Sequence, residues 1–339
     1  MKKLQLKRRK KEVKLPPRIT NETVAEHRER ILAEGRRFKY PLQYSKHKLV
    51  INTIIISVVA LILALVIGWQ QLYIAQNTSN FFYRVTRIVP VPVATVDGEQ
   101  VRYSDYLMRY RSSLHALESM KQLDRSTREG QRQAESIKEL SLQSAVADAY
   151  ARKLAQERSI DVESKRIDQF LEQSRAGLSE DAYDSVAKDL LNWTPEESRH
   201  MIYLTLLRQD VSFAIDEQAL KTKQQVEKRI ADDTSLEAIA KQLGDKVQYV
   251  DQGYVPKDNE DGGLTQAAVK LKKGNTSGAI RTAAGDGYYF ATHVASDDEQ
   301  INYQYIKIPL TVFDTQLEKL RKDDKVNRFI SIQSRTEEN

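Results

Sequence analysis

The chain of 339 residues contains no cysteine, which excludes disulfide staples and zinc–thiolate centres. Its net charge of +6 is unevenly spread: the first 48 residues hold 16 Lys and Arg against 5 Glu, a net of +11, which leaves −5 for the chain from Trp69 onward. The most basic stretch, residues 1–18, has no interleaved aromatic residues and no nucleic-acid fold accompanies the charge, so no nucleic-acid partner is expected.

The opening segment, MKKLQLKRRKKEVKLPPR, is a like-charge block with two prolines and reads as disordered. It acts as a topology determinant that meets anionic lipid headgroups, each Lys or Arg near such a surface contributing about 1 kcal/mol. Residues 21–39 predict a short polar helix, broken by Tyr40 and Pro41. The uncharged run from Leu49 to Gly68 predicts a membrane-spanning helix. About 20 residues at ~1.5 Å each reach ~30 Å, the thickness of the hydrocarbon core. A cleaved signal peptide is the weaker reading, because its leading region is short and its apolar core runs to only ~7–15 residues. The run is apolar on every face, unlike the amphipathic helix of a soluble core. Basic flanks stay cytoplasmic, so the chain is expected as a single-pass protein of the plasma (cytoplasmic) membrane with its C-terminal domains outside. Trp69 and Tyr73 suit the outer interface.

Residues 70–87 read as a stalk. The stretch Ile88 to Val96, IVPVPVATV, is extended, since two prolines forbid helix and β-branched residues favour strand. Asp97-Gly98 makes a turn. From Tyr103, apolar residues at Leu107, Tyr110, Leu114 and Leu117 define one face of a helix. A second helix carries Ile137, Leu140, Ala147, Ala151 and Leu154. Asp161 is the expected cap of a third, with Ile167, Phe170 and Leu171. Tyr183, Val186 and Leu190 mark a fourth. Thr194-Pro195-Glu196-Glu197 starts a fifth with an N-cap, Pro at the first position and a capping-box Glu. It runs through Met201, Leu204 and Leu207 towards Val211. A charged helix follows over 216–230. Thr234-x-x-Glu237 opens the next, stopped by Gly244. Strands are predicted at Val247–Val250, Gly287–Val294 and Ile301–Leu310, then a charged helix. Phe329–Ile332 is strand-like and is expected to pair with Val93–Val96.

The fold class is therefore α+β: a cytoplasmic basic segment over 1–48, one transmembrane helix over 49–69, the stalk over 70–87, a helical domain over 88–212, a small α+β domain over 213–310, and a C-terminal helix and strand over 311–339. The usual catalytic constellations are missing from the sequence. His115, His200 and His293 have no histidine at i+3 or i+4, so no helical metal pair exists and each reads as a surface or core residue. Asp258, Glu260 and Asp261 around Gly262-Gly263 read as a solvated loop rather than a cation site. No cofactor and no metal are expected.

The stretch VPVATVDGEQVRYSDYLMRYRSSL resembles the opening strand–turn–helix of the SurA/PrsA-type extracytoplasmic foldases. LAQERSIDVESKRIDQFL and LNWTPEESRHMIYLTLLRQDV are similar to later helices of their chaperone domain. In the second domain SLEAIAKQLG, VQYVDQGYVP, AAVKLKKGNTSG and GDGYYFATHV follow the order of a parvulin prolyl isomerase. The resemblance covers about residues 88–300. It implies a pocket for X–Pro isomerisation built on two histidines, an acid or thiol and apolar residues clasping the proline. The acid matches Asp251, the clasping aromatic matches Leu264, and one histidine matches Tyr289. The other histidine belongs to a strand ahead of the helices, which this chain lacks at Val211–Ile215. Ile301–Leu310 resembles that strand, although it comes last, and would supply it by circular permutation with Tyr305 at the histidine position.

What the resemblance implies is a membrane-tethered chaperone or foldase. Its partners would be unfolded or proline-containing polypeptides outside the cytoplasm, with the secretion channel as a further candidate. The parvulin-like domain is expected to be weak or inactive. Lost histidines lower activity rather than abolish it, since a pocket favouring the twisted amide gains tenfold per ~1.4 kcal/mol. The alternatives are an active peptidyl-prolyl cis–trans isomerase and a bitopic scaffold of an envelope complex.

Overall fold

The computed structural model describes residues 20–38, 41–175 and 177–332. The chain divides into two units, residues 1–70 and 71–339.

The first unit holds helices α1 (Asn21–Phe38) and α2 (Pro41–Trp69). The Thr20 hydroxyl accepts the Thr23 amide at the start of α1, satisfying one of the free donors there. The short polar helix expected over 21–39 is thus α1, while the opening segment read as disordered lies outside the described residues. Among the described residues one helical stretch, Lys48–Ile74, is long and apolar enough to cross a membrane. Large apolar side chains from Leu49 to Ile67 are all exposed, so no protein core accounts for them.

The second unit begins where a π-helical turn, Gln70–Ile74, runs into it. Residues 71–88 do not stand off as a stalk. Leu72 is buried in the main core, and its carbonyl accepts the Tyr103 hydroxyl at 2.6 Å. The Tyr73 hydroxyl donates to the Pro92 carbonyl at 2.7 Å. Helix α3 (Asn80–Ile88) buries Tyr83 and Thr86. These partners lie far along the chain, which is why local pattern showed no core face here.

Strands β1 (Pro92–Val96) and β2 (Glu99–Arg102) form a hairpin. Asp97 and Gly98 have φ of +47° and +85°, the two left-handed residues of a tight turn whose twist matches the strands. Helix α4 (Tyr103–Ser119) buries Tyr103, Tyr106, Leu107, Tyr110 and Leu114 on one stripe. Helix α5 (Arg128–Arg158) is capped by Thr127, whose side chain accepts from the Gly130 amide. Helix α6 (Ser164–Ser174) has Glu163 at its N-cap position; Asp161 instead accepts from the adjacent Val162 amide, and the expected cap there is not formed. After α7 (Glu180–Leu191), helix α8 (Pro195–Ile215) opens with the full Thr194–Glu197 capping box. It continues four residues past Val211.

The chain returns to this helical core with α12 (Val312–Lys322), which buries Phe313 and Leu317, and with β6 (Val326–Arg328). Strand β6 pairs antiparallel with Ala94–Val96, so the sheet order is β2-β1-β6. The pairing residues sit three earlier than expected; Phe329 adds one further bond to the Val93 carbonyl at 3.0 Å.

Between α8 and α12 lies a nested segment: α9 (Glu217–Ala231), α10 (Leu236–Leu243), β3 (Gln248–Pro256), α11 (Leu264–Val269), β4 (Gly287–Ser296) and β5 (Gln300–Pro309). Ser235 rather than Thr234 caps α10. Its antiparallel sheet has the order β3-β5-β4, so the last strand is central. The period-two alternation of β5 sends Ile306 and Ile308 to one core with Phe213, Val226, Ile239 and Phe290. It sends Ile301, Tyr303 and Tyr305 to the other, with Leu264, Ala268 and Tyr289.

Both crossings between the helical core and this segment meet at Asp216, which is 2% exposed. One carboxylate oxygen accepts the Ala219 amide at 2.9 Å and caps α9. The other accepts the amides of Thr311 and Val312 at 2.8 and 3.2 Å, at the start of α12. Asp216→Ala leaves three amide donors without that acceptor. It is expected to lower stability by about 2–4 kcal/mol in urea unfolding, against about 1 kcal/mol for the single-cap change Ser235→Ala.

Candidate functional site

Three of the four residues matched to a parvulin pocket come together. Leu264, Tyr289 and Tyr305 belong to one apolar cluster on the α11 face of the nested sheet. The rings of Tyr289 and Tyr305 lie 5.9 Å apart, and Tyr303 extends the row. Asp251 does not join them. It sits opposite Gln304, whose side-chain amide donates to it at 3.4 Å. Gln304 lies between Tyr303 and Tyr305 and so points to the opposite face. A bulge between Asp251 and Gly253 shifts the register just after it.

The tyrosine row is packed rather than open. Leu264, Tyr289 and Tyr303 are 4, 8 and 1% exposed, which leaves little surface for a proline ring. The Tyr289 hydroxyl donates to Asp286 at 2.9 Å, and Lys307 pairs with the same carboxylate. The Tyr303 hydroxyl donates to Asp261 at 2.7 Å, and Asp261 also accepts the amide and hydroxyl of Thr265. Asp261 therefore caps α11 from the acidic loop and is not a free solvated carboxylate. Burial pushes Tyr289 and Tyr303 up, helped by their carboxylate partners. Burial also works to raise Asp261 and Asp286, but hydrogen bonds from Thr265 and Tyr303 to the first, and from Lys307 and Tyr289 to the second, outweigh it and hold both below the usual carboxylate range. These groups stay fixed as neutral phenols and ionised carboxylates near neutral pH, so none of them is poised for proton transfer there.

His293 is 7% exposed and shares the Tyr289 face. Its Nδ1 bonds the Leu271 carbonyl at 2.8 Å, and its Nε2 is buried without a partner. It lies four residues from Tyr289, about 13 Å along the strand, and holds the end of the α11 segment. His115 meets the Asp189 carbonyl on the surface. Among the described residues no group of three His, Asp or Glu stands close enough to hold a metal ion.

Clefts open at several places in the second unit. One, of about 600 Å³, lies between α3, α4 and the α7–α8 junction, lined by Tyr83, Arg84, Arg87, Arg111, Trp193 and Glu197 among others. Glu197 is 6% exposed; it receives the Tyr83 hydroxyl at 2.5 Å and Arg87 at 3.2 Å while its other oxygen accepts the Thr194 amide. Sequence reasoning found this Glu only as a helix cap. Arg111 donates to Thr78 and Asn80 oxygens at 2.6 and 2.8 Å and covers the Tyr83 ring. Another cleft, of about 860 Å³, opens between α6, α8 and the loops before α11 and β4. Phe170, Leu206 and Phe213 give it an apolar floor, and Gln169, Gln173 and Arg281 a polar rim. The Arg281 guanidinium lies 4.1 Å from the Phe213 ring centre.

Beneath these clefts a buried ionic layer joins the helices. Asp105, on α4, accepts Arg152 of α5 at 2.9 Å and meets His200 of α8 at 3.1 Å. Asp148 pairs with Arg109 and lies 3.7 Å from Arg208. The sequence signal for Asp105 was its place inside an apolar stripe, between Tyr103 and Tyr106.

The family model for the SurA-like N-terminal domain matches residues 43–212. The chain belongs to the family defined by that domain, and the match supports a chaperone-type function. No curated protein and no solved structure matches the chain. The matched region begins in α2 and includes α3, consistent with the packing of residues 71–88 into the helical core.

Burial works to raise the Asp105 carboxyl, but His200 and Arg152 outweigh it and hold it below the usual range. Its contribution to stability is thus present above the unfolded-state value of about 3.9 and disappears as pH falls through the lower folded value. Asp105→Asn leaves Arg152 uncompensated and is expected to cost about 3–5 kcal/mol at pH 7. Urea unfolding should show a smaller cost as the pH is lowered through the acid range.

Proposed function

We propose that this chain is a membrane-tethered chaperone that holds unfolded secreted or envelope proteins outside the cytoplasm. The observation that carries the reading is the SurA-like family match across 43–212, a region that includes the apolar helical stretch and much of the cleft-bearing helical part. The charge asymmetry, +11 before the apolar run and −5 after it, favours a cytoplasmic N-terminus and an external body. The mixed apolar and polar clefts favour extended chains as clients.

The nested segment is read as a permuted parvulin-like domain with little or no isomerase activity. In support, β5 lies between β3 and β4, the strands that resemble the parvulin pattern, where a permuted domain would carry the strand missing ahead of the helices. Leu264, Tyr289 and Tyr305 cluster on one face, as the pocket resemblance implies. Against activity stand the absent histidines, the packed tyrosines, and Asp251 on the other side of the sheet. The domain then serves as a second wall for client binding across the α6–α8 cleft.

The test is NMR exchange spectroscopy on a proline-containing unstructured peptide with the full chain in lipid nanodiscs. Binding is expected to broaden the peptide signals while cis–trans exchange stays on the uncatalysed scale of about tens to hundreds of seconds. Exchange accelerated many-fold, and abolished by Tyr289→Ala, would make the protein an isomerase. Phe170→Asp, at the cleft floor, is expected to weaken peptide binding without changing the far-UV circular dichroism.

A further inference from the structure

Helix α3 has a buried face and a bare one. Tyr83 and Thr86 point into the core. Phe81, Arg84 and Ile88 fall at i, i+3 and i+7, one side of the helix, and all three are exposed: Phe81 by 67% and Ile88 by 83%. Val89, next in the chain, is 50% exposed. Two large apolar side chains flanking an arginine on so short a helix are not accounted for by the fold.

The chain itself limits what can cover this face. The apolar helical stretch ends at Ile74. The body grips that end through the buried Leu72, the Tyr103 bond to the Leu72 carbonyl and the Tyr73 bond to Pro92. Asn77 bonds back to Gln71 through both its backbone amide and its side chain. Only five residues lie between Ile74 and Asn80, so the chain from one to the other reaches at most about 20 Å.

Charge points the same way. The cleft beside α3 holds Arg84, Arg87 and Arg111 against the single carboxylate of Glu197. Its surplus of positive charge complements lipid phosphates, and an apolar-plus-basic helix face is the composition that settles at the headgroup–acyl boundary.

We propose that the outer face of α3 docks on the bilayer surface, with Phe81 and Ile88 entering the interface and Arg84 on anionic headgroups. This rests on reading Lys48–Ile74 as a membrane span. Docking there would fix the tilt of the body and hold the arginine-lined cleft against the membrane.

The native chain has no cysteine, so single introduced thiols can be labelled cleanly. The full chain is placed in nanodiscs containing phosphatidylglycerol, with Phe81→Cys, Ile88→Cys, Leu61→Cys or Leu220→Cys carrying an environment-sensitive fluorophore, and quencher-bearing lipid is added. Labels at 61, 81 and 88 should lose most of their fluorescence, and the label at 220, on α9, should keep it. Adding Arg84→Glu to Phe81→Cys should reduce the quenching at 81. Quenching at 61 but not at 81 or 88 overturns the docking and leaves the span intact. No quenching at 61 overturns the span itself and the docking with it. A label at 81 shielded by an unfolded polypeptide, and untouched by lipid quencher, assigns the face to clients and also overturns the proposal.

Discussion

The carboxylate of Asp216 is the point on which the two halves of the body depend. The chain leaves the helical core at the end of α8 and returns at the start of α12, and both passages bind the same side chain. Each helix start has backbone donors that no intrahelical acceptor satisfies. One buried acceptor answers both, so the orientation of α9 and that of α12 are tied together. The nested segment is clamped at both ends by this carboxylate, and α8 carries Val211 into one core and Phe213 into the next. The helical and sheet parts are thus coupled through a shared helix and a shared carboxylate rather than through a linker.

That coupling shapes the functional reading. The larger cleft has α6 and α8 on one side and the loops before α11 and β4 on the other. Gln209 of α8 donates to the Ala283 carbonyl across it at 2.9 Å. A chain held there touches both parts at once. The tyrosine row on the α11 face of the sheet is closed: its hydroxyls are committed to Asp261 and Asp286, and its rings pack with Leu264 and Ala268.

Local chemistry was legible in the sequence where it acts over a few residues. The Asp97-Gly98 turn, the stripe from Tyr103 to Leu114 and the Thr194–Glu197 box all stand where residue spacing put them. The return of the C-terminus to β1 was legible too, although three residues out of register. Residues 71–88 were not, because Leu72 and Tyr83 find their partners 31 and 114 residues away. For the candidate site, motif order brought Leu264, Tyr289 and Tyr305 to one cluster. Asp251 fell on the other face because alternation has a period of two, so the side a residue takes depends on strand register, which a local motif does not carry. The Asp105–Arg152–His200 layer joins three helices, and its one local trace was the place of Asp105 inside an apolar stripe.

The sheet of the helical part is finished by a strand that comes some 230 residues after its neighbour, β1 against β6. A contact so distant in sequence gains nothing until the whole intervening chain exists, and closing such a loop carries an entropic cost that grows only slowly with length. During synthesis β1 therefore has an open edge until residue 328 has left the ribosome. A nascent molecule is itself an unfolded chain with an unpaired strand for most of its production. The nested segment, whose strand pairings lie within 100 residues, has no closure of that length to make.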